Sequence, residues 1–185
     1  TSDFSLIAVL ERDGNLELHR VAVGEHILLG GDNMDLALAY AVAGKLAAQG
    51  SKLDAWQLRA LTHACRSAKE TLLGDPEIAA VPLVVASRGT KLIGGSIRSE
   101  LTREELTATL LEGFFPAAAI ADRPQGRGRG GLTQLGLPYA QDAAVTRHLA
   151  AFLARQLAAT ADLEGFVGEL PEDATFLHPT AVLFN

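Results

Sequence analysis

The stretch HILLGGDNMD, His26 to Asp35, joins an apolar run to the start of a helical pattern through two adjacent glycines, Gly30 and Gly31. Glycine lets a backbone adopt positive φ, or lie against a bound phosphate or sugar, at little steric cost. The pair therefore reads in two ways: as ordinary strand-to-helix turn chemistry, or as a turn that handles a nucleotide. What flanks it separates the two.

Upstream, the apolar runs 4–10 and 16–23 flank Asp13, Gly14 and Asn15, which predicts a hairpin of two antiparallel strands. Downstream, residues 34–48 are apolar nearly all round, as in a buried helix, and Gly50 offers a C-terminal stop. Ser51 and Asp54 give a Ser-x-x-Asp start for a second helix, on which Leu58, Leu61, Cys65, Ala68 and Leu72 recur at helical spacing before Gly74 and Pro76. Runs 81–86 and 91–97 about residues 87–90 predict a second hairpin, with Pro82 placing its first strand at an edge. Thr102, Arg103, Glu104 and Glu105 form a capping box for a third helix reaching toward Phe114.

Beyond that point the pattern thins. Residues 121–138, centred on QGRGRGG, read as a long loop. A fourth helix is expected over 142–159, with Val145, Leu149, Phe152, Leu153 and Leu157 on one side. Residues 163–179 are a weak segment and 180–184 a closing strand. The fold class is α/β (α+β), antiparallel strand pairs with packed helices, and no internal repeat has a solenoid period. The chain opens inside one strand pattern and stops as another is completed, so it reads as a fragment of a longer protein.

At 185 residues and 48% hydrophobic content, with a mean hydropathy of +0.18, the chain can bury a sizeable core and is not disordered. A formal net charge of -6 argues against nucleic-acid and anionic-membrane partners, because phosphate surfaces require clustered Lys and Arg. Cys65 is the single cysteine, so no internal disulfide forms, which fits a reducing, cytoplasmic setting. No window is long and apolar enough to span a bilayer, and no signal pattern follows Thr1.

The order TSDFSLIAVL, hairpin, HILLGGDNMD, then a helix carrying LTHACRSAKETLL resembles the ATPase domain of DnaK-type (70-kDa heat-shock) chaperones, of the actin-like ATPase superfamily. In that family a glycine-rich turn runs into Thr-x-Asp and a strand. A His-Leu-Gly-Gly-(Glu/Asp)-x-(Phe/Met)-Asp turn follows, then a helix reading Ala-Cys-Glu-x-Ala-Lys-x-x-Leu. The match covers roughly the first half of the chain. It implies a fragment of lobe two of an actin-like ATPase: residues 1–120 as the lobe itself, 121–160 as a divergent Arg/Gly loop and helix insertion, and 161–185 as a weak segment with a closing strand.

The resemblance also implies roles. Thr1 and Asp3 match residues beside the nucleotide phosphates, with Asp3 as the acid near a Mg²⁺ shell or the attacking water; taken alone, Asp3 is a solvated strand-end acid. Gly30 and Gly31 match the turn that approaches ribose and phosphates, and Asp32 and Asp35 its acidic followers. Asp32 reads equally as an N-cap, and Asp35 as a first-turn acid favoured by the helix dipole.

Arg66, Lys69, Glu70 and Leu73 fall at i, i+3, i+4 and i+7, a stripe able to clasp an adenosine or simply to face water. Here the chain departs from the family. Arg66 stands for an expected Glu, Glu70 for an expected Arg and Leu73 for a small hydroxyl residue, which leaves Lys69 as the main polar match. A Glu and Arg exchange over one helical turn keeps an ion pair while reversing which group meets a ligand.

The implied cofactor is ATP or ADP with Mg²⁺, bound by the full-length parent, the fragment itself being inactive as an ATP hydrolase. The implied partner is a nucleotide-exchange or co-chaperone protein at the lobe tip. Two other readings stay open: an interaction module without nucleotide, and a sugar-kinase-like relative, for which no sugar-binding acids are visible. His19, His26, His63, His148 and His178 show no zinc spacing, Cys65 sits on an apolar stripe, and no Ser, His and Asp arrangement is recognisable.

Overall fold

The computed structural model describes residues 1–87, 95–125, 142–159 and 173–184. It has an α+β fold in two units, one formed by Thr1–Leu28 with Pro116–Asn185 and the other by Leu29–Phe115. Among the described residues no helix is long and apolar enough to cross a membrane.

In the first unit β1 (Ser5–Arg12) and β2 (Asn15–Val23) pair antiparallel, with Arg12 opposite Asn15. The two loop residues, Asp13 and Gly14, both take positive φ, at 51° and 76°. That is the primed turn whose twist matches the strands, and Asp-Gly is a sequence suited to it. Ala8 and Leu10 turn into the core, while Ile7, Val9, Leu16 and Leu18 form an exposed apolar row. A short bridge between Ser2 and Ile27 closes the base of the hairpin.

The fourth helix expected from sequence is shorter than predicted: α4, the last in the chain, spans Val145–Arg155. Asp142 lies ahead of it rather than inside it, because its carboxylate accepts from the Gln125 and Ala144 amides and from Arg147. Burial alone would raise the Asp142 carboxyl, but these donors outweigh it and hold the group below the usual carboxylate range. Phe152 of this helix stacks on Phe4 with ring centroids 5.7 Å apart. The closing strand expected at 180–184 is not formed, and Leu183 there is 94% exposed. Most of the Arg/Gly loop, 126–138, lies outside the described residues, as does most of the weak segment.

The second unit starts with α1 (Gly31–Ala48), which packs on α2 (Ala55–Gly74). Although α1 is apolar nearly all round, it is not buried all round: Asp35, Leu38, Ala39, Val42 and Leu46 face inward while Tyr40, Ala41, Gly44 and Ala47 are exposed. Alanine and glycine tolerate water at little cost, so hydropathy alone does not mark the buried face.

Helix α1 stops at Gly50, φ 88°, where the Gly50 amide donates to the Ala47 carbonyl and the Ser51 amide to the Leu46 carbonyl. Ser51 is thereby part of that stop and does not start α2. The N-cap of α2 is Asp54, whose carboxylate accepts from the Trp56 and Gln57 amides while Gln57 Oε1 accepts from the Asp54 amide.

Strands β3 (Ala80–Ala86) and β4 (Ser96–Thr102) pair antiparallel, Ala86 opposite Ser96 and Ala80 opposite Thr102. The second strand was expected at 91–97; it begins at Ser96 and runs straight into the Thr102 cap, and most of the earlier stretch lies outside the described residues. Leu83, Val85 and Leu101 point into the core. Thr102 and Glu105 cap α3 (Arg103–Thr107) reciprocally, as their spacing predicts, and a π-helical turn, Ala108–Glu112, carries the chain toward the buried Phe114.

Candidate functional site

The glycine pair ends up at the start of α1, Gly30 as its N-cap and Gly31 as its first residue. Neither glycine takes positive φ, since Gly30 is extended and Gly31 is helical. A Cβ at Gly31 would meet nothing closer than Lys69 Nζ at 3.5 Å, an ordinary contact. Backbone strain therefore does not account for glycine at Gly31, and the turn stays open beside the Lys69 amine. Asn33 Oδ1 accepts from the Gly30 amide at 2.9 Å, so the cap is supplied by Asn33 and not, as expected, by Asp32. Asp32 instead projects from the first turn with its side chain 79% exposed.

Asp35 is the centre of the site. Its side chain is 1% exposed, its Oδ2 accepts from Arg66 Nε at 2.8 Å, and its Oδ1 lies 2.6 Å from Lys69 Nζ. The Lys69 contact is ionic and not an aligned hydrogen bond, so this oxygen is held by charge alone. Arg66 reaches on through Nη2 to Asp32. Lys69 Nζ also points at the Gly31 carbonyl, 3.5 Å away. Two facing stripes explain the convergence: Asp35 occupies an inward position of α1 with Leu38 and Val42, and Lys69 one of α2 with Cys65 and Leu72.

Opposite charges placed there must meet, because a buried charge without a partner costs several kcal/mol, about 3 or more. The hydrogen bond and charge of Asp35, then the charges of Asp32 and Glu70, raise the Arg66 guanidinium above its ordinary value, against a small opposing effect of burial. The Cys65 thiol is pushed up to about 12, first by burial and then by Asp35.

The other expected site residues lie around this centre or in the first unit. Glu70 and Leu73 are exposed on α2, Leu73 at 60%. Thr1 is exposed, and Asp3 Oδ1 pairs with His26 Nδ1 at 2.6 Å, both within the first unit. Among the described residues no group of three or more His, Cys, Asp and Glu side chains is placed to hold a metal ion. Asp3 is thus paired with His26 at the start of the chain, both side chains exposed.

Sequence reading undervalued Asp35, treating it as a first-turn acid, and did not single out Asn33. The signal for Asp35 was present: it sits i, i+3, i+7 and i+11 with Leu38, Val42 and Leu46, on the stripe that packs. No protein-family model and no curated protein matches the chain.

Proposed function

We propose that this chain is part of the nucleotide-binding domain of a DnaK-like, actin-type ATPase, and that the Gly30–Gly31 turn with Lys69 forms the nucleoside edge of its cleft. The observation that carries the reading is the 3.5 Å approach of Lys69 Nζ to the Gly31 carbonyl, which joins the turn and the α2 stripe at one place. The first-turn amides of Gly31 and Asp32 have no acceptor within the helix and are open to a ligand oxygen.

The charges of Asp32, Asp35, Glu70, Arg66 and Lys69 leave the cluster with one net negative charge, so it suits a neutral ribose better than phosphates. Exposed carboxylates at Asp32 and Glu70 accept from ribose hydroxyls, and the Arg66 stem offers apolar contact to a base. The fit is thus to the nucleoside half of ATP or ADP. In the full-length parent, bound Mg²⁺ would supply charge neutralisation at the phosphates. The parent works in the cytoplasm, where a lone thiol such as Cys65 stays reduced.

A second reading rests on the commitment of Arg66 to Asp32 and Asp35, and on Leu73 at the place of a hydroxyl residue. It is a lobe that has lost nucleotide and acts as a protein-interaction module for a co-chaperone or exchange partner. Calorimetric titration of the protein with its flanking sequence against Mg·ADP separates the two. Saturable heat that Lys69→Met weakens about tenfold, near 1.4 kcal/mol, supports the first. Absence of heat, with the protein folded by circular dichroism, overturns it and leaves the second.

A further inference from the structure

Strand β4 carries a row of backbone donors and acceptors that, among the described residues, no strand pairs with, and its charges are arranged to match themselves. The register fixes which groups these are. Ser87 N donates to the Gly95 carbonyl and Arg103 N to the Ala79 carbonyl, so the odd-numbered positions of β3 and β4 bond across the pair. The even-numbered positions point outward. On the β3 side Pro82 has no N–H to offer, and Gln57 Nε2 of α2 donates to the Ala86 carbonyl at 3.1 Å. On the β4 side the outward groups are those of Ser96, Arg98 and Glu100, and among the described residues no strand pairs with them. One of them, the Glu100 carbonyl, accepts from Lys45 Nζ at 3.2 Å and keeps a second lone pair. Beside this edge runs an open groove of about 250 Å³, lined by Lys45, Gln49, Arg98, Ser99 and Glu100.

We infer that β4 pairs antiparallel with β4 of a second copy of this chain, about a two-fold axis through Ser99. The outward groups allow even positions to face even positions, and the charges choose among the possible registers. Centred on Arg98, the pairing sets two guanidinium groups against each other. Centred on Glu100, it sets two carboxylates against each other. Centred on Ser99, each Arg98 faces a Glu100 across the axis, twice per dimer; both side chains are exposed, and the one contact Arg98 exchanges for this is a long 3.4 Å hydrogen bond from its Nε to Ser96 Oγ. Ser99 then faces its own copy at a non-hydrogen-bonded position, where its small side chain fits the close spacing. This inference is independent of the nucleotide reading, since no residue of the glycine turn or of the Asp35 cluster takes part.

Sedimentation velocity on the full chain tests it. The wild type self-associates to a dimer with rising concentration. R98E and E100R each bring like charges together across the axis and weaken that association about tenfold or more. An equimolar mixture of R98E and E100R restores unlike pairs at both places and returns a dimer, which also shows that both variants are folded. S99C links two chains by a disulfide under mild oxidation, whereas the wild type, with only the buried Cys65, does not. A wild type that stays monomeric to about 1 mM overturns the inference. So do single variants that associate as well as the wild type, a mixture that fails to recover the dimer, or S99C that does not cross-link where the wild type dimerises.

Discussion

Asp35 and Lys69 form a buried ion pair between the N-terminal part of α1 and the C-terminal half of α2, Oδ1 to Nζ 2.6 Å, with the two side chains 1% and 11% exposed. Arg66 approaches the same carboxylate from its other oxygen. One acid thus sets the positions of two cations and, through Lys69, of the amine beside the glycine turn.

Removing the acid strands the better buried of the two cations. Asp35→Ala is expected to lower the stability of the second unit by about 3 kcal/mol, because the Lys69 amine loses its counter-charge in a desolvated place. Lys69→Met costs less, since Arg66 still faces the carboxylate. Urea denaturation of both variants checks the order. A loss below about 1 kcal/mol for Asp35→Ala, or a larger loss for Lys69→Met, contradicts the role given to Asp35.

Cys65 gives the chain an alkaline signature. Its folded pKa, about 12, lies above the ordinary 9.0, so the neutral thiol is favoured by folding. Its contribution is fully present below pH 9.0 and is lost as pH rises toward about 12. Stability measured over that range falls more steeply in the wild type than in Cys65→Ala. Parallel curves, or rapid reaction of the native thiol with an alkylating reagent at about pH 8, contradict the assignment.

On the acid side the α3 cap contributes, beside the Asp142 carboxyl described above. Burial alone would raise the Glu105 carboxyl, but Lys45 and the Thr102 backbone and hydroxyl bring it below its ordinary value. A depressed carboxyl stabilises above its unfolded pKa, and that contribution disappears as pH falls through the folded value. Thr102→Ala is expected to cost about 1 kcal/mol near neutrality by removing the cap. Glu105→Gln should flatten the acid limb of the stability curve. An acid limb unchanged by Glu105→Gln counts against this account.

Those local devices were legible in the sequence to different degrees. Asp13-Gly14 and Thr102 to Glu105 act within a few residues, so their spacing was enough to place the first hairpin and the start of α3. Ser51 misled because two devices overlap there: the Schellman stop of α1 uses the residue that spacing alone assigns to the start of α2, and Asp54 with Gln57 supplies the actual cap. The placement of β4 was hidden because SIRSELT alternates weakly and five of its seven side chains are polar. At the site, the resemblance picked Lys69 out of its helical stripe, but its partner could not be read. The Asp35 contact joins residues 34 positions apart, and only the packing of α1 on α2 decides that Arg66 turns toward α1 and not toward Glu70. The failed strand at 180–184 shows the converse: apolar sequence supplies the propensity for a strand but not its neighbour.

The most direct test of the nucleoside edge is a ¹H–¹⁵N correlation spectrum of the protein with its flanking sequence, titrated with Mg·ADP and read at two places. The account predicts saturable shifts of the Gly30, Gly31 and Asp32 amides together with Lys69 and Glu70 on α2, while Ser96, Arg98 and Glu100 on β4 stay where they are. Amides at the glycine turn that do not move at saturating nucleotide, or shifts confined to other parts of the molecule, would contradict it.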